Sequence, residues 1–193
     1  MGEKISKFCN PFDIKKKYIL VVGAEGSGKT TFLYGPRLKP GWENAKFYST
    51  IGYNYEEIRM NSGVMGIFDT PGNESLFPII RNLYKNLQVA GIVFVMKLGS
   101  KQDLAINFIM AKRKIKFLAN EPELKNCVFF IIGNVEGDIE AQFKDKEYIY
   151  TALGIGELKH IKEKQVDVFD AKYSPKEGER VWRWMSDRIQ FDE

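Results

Sequence analysis

The chain has 193 residues, of which 44% are apolar and 28% charged, a composition that is typical of one globular domain and excludes a mainly disordered chain. Its longest apolar runs, Ile92–Met96 and Cys127–Ile132, are far shorter than the roughly 18–20 residues of a membrane-spanning helix. Two cysteines and one histidine exclude a disulfide framework and an ordinary zinc site, so we expect a reducing, cytoplasmic setting.

The net charge of +4 is concentrated at the N-terminus. In residues 1–17, five lysines stand against Glu3 and Asp13, which leaves a charge of +3 in that segment. A charge at one end of a chain is typical of a segment that binds a surface. The other basic cluster, Lys112–Lys116, lies in a helical pattern and is interpreted as a solvated helix face. We therefore expect no nucleic-acid partner.

Short apolar runs alternate with helical patterns along the chain. A first strand, Tyr18–Val22, precedes a glycine-rich turn and a helix start at Thr30–Tyr34, and Asn54–Met60 and Val64–Asp69 are predicted to form a hairpin. Further strands are predicted at Gly91–Met96, Cys127–Ile132 and Val166–Phe169. Helices are predicted at Leu104–Leu118 and Val181–Ile189. This alternation predicts an α/β fold whose six-stranded, mostly parallel sheet has one antiparallel edge strand and helices on both faces. The long stretch 35–53 is predicted to be a functional loop.

Residues 23–30, GAEGSGKT, fit the phosphate-loop pattern G-x-x-x-x-G-K-[ST] in full, after a strand and before a helix. Glycines at these positions let backbone N–H groups curve around a phosphate. Lys29 is predicted to place its ammonium on the β- and γ-phosphates, and the Thr30 hydroxyl to bind Mg²⁺. The motif predicts a nucleotide site without naming the base or the reaction.

Further motifs follow in a fixed order. They are TIGYN at 50–54, DTPG at 69–72, GKTTFLY at 28–34, RNLYKN at 81–86 and FDAK at 169–172. Together they resemble the ADP-ribosylation factor (Arf) branch of the Ras-like small GTPases, over most of the chain. The resemblance implies the P-loop NTPase (small G protein) fold, GTP and GDP as ligands, and Mg²⁺ as the metal.

The resemblance also implies a role for each matching residue. The phosphates would be bound by Ala24, Glu25, Gly26, Ser27, Gly28, Lys29, Thr30 and Thr31. Thr30 and Thr50 would bind Mg²⁺, Thr50 only in the triphosphate state, and the Gly72 N–H would contact the γ-phosphate. Ala171 and Lys172 would lie beside the base, together with Asn134. Lys29 and the residue after DTPG, Asn73, are the catalytic candidates.

Asn73 is the first departure from the family pattern. The family has Gln there to orient the attacking water, and Asn carries the same amide on a shorter side chain. We therefore expect slow intrinsic GTP hydrolysis. In the alternative interpretation, Asn73 is a loop residue with no catalytic part.

The base-recognition motif N-K-x-D is the second departure. In GNVEGD at 133–138, Asn134 fits, Val135 replaces the Lys, and Gly137 stands where the family Asp accepts hydrogen bonds from guanine. Asp138, or else Glu136, is the candidate substitute, so guanine preference is an implication of the family. SKQD at 100–103 resembles N-K-Q-D but follows the wrong strand, and Asp103 is predicted to begin a helix.

The N-terminus MGEKIS fits the N-myristoylation pattern, which makes Gly2 a candidate lipidation site, although Glu3 is unfavourable. We expect residues 1–17 to form an amphipathic, possibly lipidated segment and residues 18–193 to form one GTPase domain. Because one acyl chain binds membranes only marginally, Lys15–Lys17 would add attraction to anionic lipid. A disordered basic tail is the alternative. The family resemblance implies that the protein is located on the cytosolic face of a Golgi or endosomal membrane.

The effector face implied by the family comprises Tyr53, Phe68 and Leu83, although Phe68 also fits a core position. The expected partners are an exchange factor, a GTPase-activating protein and effectors. The sequence thus predicts an Arf-like GDP/GTP switch that acts in vesicle trafficking. A divergent pseudo-GTPase that serves as a nucleotide-binding scaffold is the first rival, favoured by Asn73 and Gly137. A small-metabolite kinase is the second, and it leaves TIGYN and DTPG unexplained.

Overall fold

A computed structural model describes residues 16–35, 49–60, 63–99, 101–161, 163–189 and 191, with the backbone alone at 101 and 102. Gly2, and all of the predicted N-terminal segment except Lys16 and Lys17, lie outside these residues, as does most of the predicted loop 35–53. The division of the chain at residue 17 therefore stays a prediction.

The described strands form a single six-stranded sheet in the order β2-β3-β1-β4-β5-β6. The strands are β1 (Lys16–Gly23), β2 (Asn54–Met60), β3 (Gly63–Asp69), β4 (Val89–Leu98), β5 (Val128–Val135) and β6 (Lys164–Phe169). β2 pairs antiparallel with β3 at one edge, and all other pairings are parallel. The predicted fold class, including the antiparallel edge strand, is confirmed.

Helices cover both faces of the sheet and enclose two apolar clusters. The described α-helices are α1 (Lys29–Tyr34), α2 (Phe77–Asn86), α3 (Lys101–Ala119), α4 (Lys146–Ala152) and α5 (Pro175–Arg188). Side chains of α2, α3 and α4 pack in one cluster, and those of α1 and α5 in the other. The central strand β1 is buried from Ile19 to Val22, because it faces both clusters. No helix in the described ranges is long and apolar enough to cross a membrane.

Strand β5 and helix α3 extend beyond their predicted bounds. β5 was predicted to end at Ile132, but it continues to Val135 because Asn134 and Val135 still pair with Lys97 and Leu98 of β4. Asn134 is therefore held by a strand and not by the loop that follows. Helix α3 begins at Lys101 and has Asp103 in its first turn, as the sequence predicts for that carboxylate.

Strand register brings the motifs to one edge of the sheet. Val21 of β1 pairs with Asp69 of β3, and Asn134 of β5 pairs with Phe169 of β6. The carboxyl ends of the parallel strands therefore carry the phosphate loop, DTPG, Asn134 and the 169–172 turn side by side, where open α/β sheets bind their ligands.

Candidate nucleotide-binding site

The loop between β1 and α1 has the backbone of a phosphate cradle. Gly26 and Gly28 have φ values of 68° and 94°, a region that favours glycine. A Cβ atom on Gly28 would lie 2.3 Å from Nδ2 of Asn134, so this position requires glycine for space as well. The hydroxyl oxygen of Ser27 is buried and has no hydrogen-bond partner among the described residues. An anion in this loop would meet backbone N–H groups.

Lys29 is the buried cation of this loop. Its ammonium donates to the Ala24 carbonyl at 2.8 Å and lies 3.3 Å from the Gly23 carbonyl. Burial lowers the pKa of Lys29 to about 8. A phosphate placed here would stabilise the charged form, because opposite charges attract more strongly where water is excluded.

The carboxylate of Asp69 accepts hydrogen bonds from three side chains, one in the phosphate-loop motif and two in TIGYN. Its Oδ2 accepts from Thr30 Oγ1 at 2.8 Å, from Thr50 Oγ1 at 3.4 Å and from Asn54 Nδ2 at 3.3 Å. Burial raises the pKa of Asp69, and the bond from Thr30 opposes that shift most. In the sequence, Asp69 was noted only as the first residue of DTPG, and no role was predicted for it. Its position at the end of a buried strand was the signal.

These oxygens fit Mg²⁺. Oδ1 of Asp69 is buried and has no hydrogen-bond partner in the described part of the chain, so it is available as a ligand or as an acceptor from a metal-bound water. Within the described ranges no cluster of three or more His, Cys, Asp or Glu side chains exists that would hold a metal by itself. A Mg²⁺ ion here would take few protein ligands and complete its octahedron with phosphate and water, as this metal usually does.

A cleft of about 250 Å³ lies between the phosphate loop, residues 49–51 and residues 72–73. Gly72 lies against the loop so closely that a Cβ atom on it would be 2.4 Å from the Glu25 nitrogen. Glu25 also accepts a hydrogen bond from the Ser49 hydroxyl, next to Thr50. Thr31 lines the same cleft. The predicted phosphate-binding and metal-binding residues are thus brought together.

Asn73 lies at the mouth of this cleft but uses its side chain locally. Its Oδ1 accepts from the Ser75 backbone nitrogen at 3.0 Å and from the Ser75 hydroxyl at 2.8 Å, which caps the short helical turn Glu74–Leu76. This is the arrangement expected of the alternative interpretation, in which Asn73 shapes the loop.

Asn134 connects the base side of the site to the phosphate loop. Its Nδ2 donates to the Ser27 carbonyl at 3.0 Å, and its Oδ1 accepts from the Ala171 backbone nitrogen at 2.8 Å. The backbone nitrogen of Lys172 donates to Asp170 Oδ1 at 2.8 Å, which fixes the turn after β6. Asn134 therefore joins Ala171 to one end of the phosphate loop, and Lys172 follows in the same turn. Their predicted place beside the base stays a prediction.

The candidate carboxylates for base recognition point elsewhere. The side chain of Asp138 is fully exposed and lies 3.9 Å from Lys144, and Glu136 forms a 2.5 Å ion pair with Lys97. Gly137 has a φ of 77° and open space around its Cα. Among the contacts of the described residues, neither of these two carboxylates reaches Asn134 or Ala171.

The three predicted effector residues differ in exposure. Tyr53 is 51% exposed, whereas Phe68 and Leu83 are both 7% exposed and belong to the core. Phe68 thus adopts the core position that the sequence left open as an alternative. Its ring contacts those of Tyr53 and Tyr55, with centroids 5.2 and 4.9 Å away. Tyr55 is also exposed. The sequence analysis missed it because its place beside Phe68 depends on how the two strands of the hairpin pair.

Comparison with known proteins agrees with this geometry. The model of the "ADP-ribosylation factor family" matches residues 5–189. ADP-ribosylation factor-like protein 1 of Caenorhabditis elegans is 28% identical over 191 residues, and that of Drosophila melanogaster 27%, each alignment covering 98% of both chains. The Arl6 (BBS3) small GTPase of Trypanosoma brucei, solved with the nucleotide analogue GppNp, has the same fold with a TM-score of 0.67, 17% identity, and coverage of 91% of this chain and 99% of that one. The chain belongs to the ADP-ribosylation factor family, whose members are small GTPases that bind GTP and GDP.

Proposed function

We propose that this protein is a GDP/GTP switch that hydrolyses GTP slowly and recruits effectors to a membrane when it carries GTP. The observation that carries the proposal is the convergence of Thr30 and Thr50 on Oδ2 of Asp69, beside the buried ammonium of Lys29. Among the described residues 49–51, two side-chain hydrogen bonds hold this segment to the site, from Thr50 to Asp69 and from Ser49 to Glu25. A segment held by so few bonds responds to the presence or loss of one phosphate.

Each residue of the phosphate end has a task. Lys29 and the loop backbone bind the phosphates, Thr30 and Thr50 bind Mg²⁺, and Asp69 orients both hydroxyls through its hydrogen bonds. A Mg²⁺ ion held by these residues would supply positive charge to the phosphates. The backbone N–H of Gly72 contacts the γ-phosphate when GTP is bound. Its close contact with the phosphate loop leaves no room for a side chain at this position.

Slow hydrolysis follows from the position of Asn73. An amide that orients water must reach over the γ-phosphate, and this one is short and accepts two hydrogen bonds from Ser75. In single-turnover assays we expect Asn73→Gln to raise the hydrolysis rate about tenfold, since the longer side chain returns the amide to the water. Ser75→Ala, which removes one partner of the cap but keeps Asn73, serves as the control. An unchanged rate in Asn73→Gln would assign Asn73 to the loop alone.

The scaffold remains the second candidate, because neither Asp138 nor Glu136 is directed to the base end in the structure, where both pair with lysines. The deciding experiment identifies the nucleotide in the purified protein, then titrates GDP, GTP, ADP and ATP with Mg²⁺. A switch binds guanine nucleotides more tightly than adenine nucleotides and hydrolyses GTP. Equal binding of both bases, together with no hydrolysis, would favour the scaffold.

Membrane recruitment is tested separately. Protein co-expressed with an N-myristoyltransferase is expected to float with anionic vesicles when loaded with a GTP analogue and less so with GDP. Gly2→Ala removes the acceptor and should abolish flotation, while nucleotide affinity serves as the folding control. Equal flotation of Gly2→Ala would remove lipidation from the proposal and leave the switch intact. The family resemblance alone suggests the organelle, which would be the Golgi or an endosome.

A further inference from the structure

The turn after β6 carries a carboxylate, Asp170, that has no role in the site as described so far. The chain is anchored on both sides of this residue. The ring of Phe169 contacts that of Phe32 in α1, with centroids 6.4 Å apart, and the backbone nitrogen of Ala171 donates to Oδ1 of Asn134 at 2.8 Å. Asp170 is therefore held between a residue that packs on the helix after the phosphate loop and a residue that is hydrogen-bonded to the Asn134 bridge.

The two carboxylate oxygens of Asp170 have different surroundings. Oδ1 accepts hydrogen bonds from the backbone nitrogens of Lys172 at 2.8 Å and Tyr173 at 3.3 Å, which closes the turn. Oδ2 accepts no hydrogen bond from the described residues. The ammonium of Lys172 lies 5.1 Å from the centroid of the Tyr173 ring, and Asp170 forms no ion pair within the described ranges. One oxygen of this half-buried carboxylate is thus left to accept from a ligand.

The edge of guanine that proteins read differs from that of adenine in its hydrogen-bond donors. Guanine has two adjacent donors there, N1–H and the C2 amino group, whereas adenine has an acceptor at N1. A carboxylate oxygen accepts from the guanine donors and repels the adenine lone pair. The family carboxylate would stand at Gly137, which has no side chain, and both Asp138 and Glu136 pair with lysines. Of the three acidic candidates, Asp170 alone has no lysine partner and belongs to a turn that is bonded to Asn134.

We propose that Oδ2 of Asp170 accepts hydrogen bonds from the N1–H and amino groups of guanine and supplies the base preference that Gly137 does not provide. This inference rests on the proposed function, because it concerns the binding of GDP and GTP at the same site. Since Oδ1 is occupied by the turn, one oxygen serves the base. The guanine preference is therefore weaker than that of a carboxylate with both oxygens free.

Asp170→Asn tests the proposal without removing the turn. The amide oxygen still accepts from the backbone nitrogens of Lys172 and Tyr173, so thermal melts should stay close to those of the wild type. The second oxygen becomes an NH₂ donor, which faces the donors of guanine but suits xanthine, whose C2 carries a carbonyl oxygen. In titrations of GDP and xanthosine diphosphate with Mg²⁺, the ratio of GDP to xanthosine diphosphate affinity should fall at least tenfold.

Two further Asp→Asn variants serve as controls. Asp187 is exposed near the other end of α5, and Asp187→Asn should leave the affinity ratio within about twofold of the wild type. Asp138→Asn makes the same change in the loop after β5. The proposal is overturned if Asp170→Asn changes the ratio by less than about threefold, if it weakens both nucleotides equally, or if the change appears in Asp138→Asn instead. Equal affinity of the wild type for GDP and ADP would also overturn it.

Single-turnover hydrolysis of GTP by the wild type separates this proposal from the proposed function. Hydrolysis together with an unchanged affinity ratio in Asp170→Asn would remove Asp170 from base recognition and leave the switch intact. A shifted ratio together with no hydrolysis would support Asp170 as the guanine acceptor and favour the scaffold over the switch.

Discussion

The two ends of the nucleotide site are built in different ways. At the phosphate end, a loop backbone, a buried ammonium and the carboxylate of Asp69 are all held by adjacent strands, and their polar groups point at one cleft. At the base end, Asn134 is equally well held, but the two nearby carboxylates belong to an exposed loop and pair with lysines. One end is therefore preorganised, whereas at the other neither candidate carboxylate contacts the residues that hold the site together.

This difference separates affinity from selectivity. Phosphate binding draws on backbone N–H groups and a desolvated cation, which recognise any nucleoside di- or triphosphate. Choice of base depends on one carboxylate that would be left unpaired by the wrong ligand. A protein with the first part intact and the second part altered should bind nucleotides well and discriminate between bases poorly.

The largest effect is expected from Lys29→Ala. This change removes the ammonium that is buried against the Ala24 carbonyl and available to the phosphates. We expect the Kd for GDP to rise by about 100-fold or more, because charged hydrogen bonds to a ligand are worth about 1.5–3 kcal/mol each. Titration of a fluorescent GDP analogue measures it, with Lys85→Ala on the exposed side of α2 as control. A change below threefold would refute the preorganised phosphate end.

Removal of Mg²⁺ should have the next largest effect. Chelation with EDTA is expected to speed GDP release about tenfold in the wild type, because Thr30 and Asp69 would hold the ion next to the phosphates. Thr30→Ala should release GDP quickly with or without EDTA. The measurement is the rate at which a fluorescent GDP analogue dissociates. If Thr30→Ala responds to EDTA as the wild type does, the metal is held elsewhere.

Asn134→Ala tests the link that the two ends share. It leaves the Ser27 carbonyl and the Ala171 N–H buried without partners, so we expect the free energy of unfolding to fall by about 2–3 kcal/mol. For a chain of this length that corresponds to about 5–10 °C in Tm. Asn120→Ala is the matched control, because its amide makes one exposed bond to the Lys116 carbonyl and should cost less than about 1 kcal/mol. Equal losses in both variants would mean that Asn134 does not join the two ends.

The smallest effect is expected from Asp138→Ala. Because the Asp138 side chain is fully exposed, its removal should change the ratio of GDP to ADP affinity by less than about threefold. Gly137→Asp is the complementary gain-of-function variant, since the space around Gly137 is open and Asp tolerates a φ of 77° better than most residues. It should raise that ratio about tenfold. A large loss in Asp138→Ala would show that this loop closes over the base and that the exposed carboxylate is recruited on binding.

The sequence predicted nearly all of the residues that the structure brings together at the phosphate end, but only some of those at the base end. GAEGSGKT is contiguous and dictates its own backbone, so Lys29 and Thr30 were found without a structure. Asp69 was overlooked as a functional group because its three bonds come from residues 15, 19 and 39 positions away. At the base end, the sequence identified Asn134 and questioned Asp138, but it could not say where the Asp138 side chain points.

The sequence by itself determined the order of strands and helices, the phosphate loop and the family, because these depend on local periodicity and on motifs that are continuous in the chain. Tertiary structure alone decided that Asn134 bridges Ser27 and Ala171, which lie 107 and 37 residues from it in sequence. It also decided that Phe68 is a core residue. The physical reason is that such contacts follow from strand register and from which face of each helix its neighbours leave uncovered, and neither is written in a local pattern.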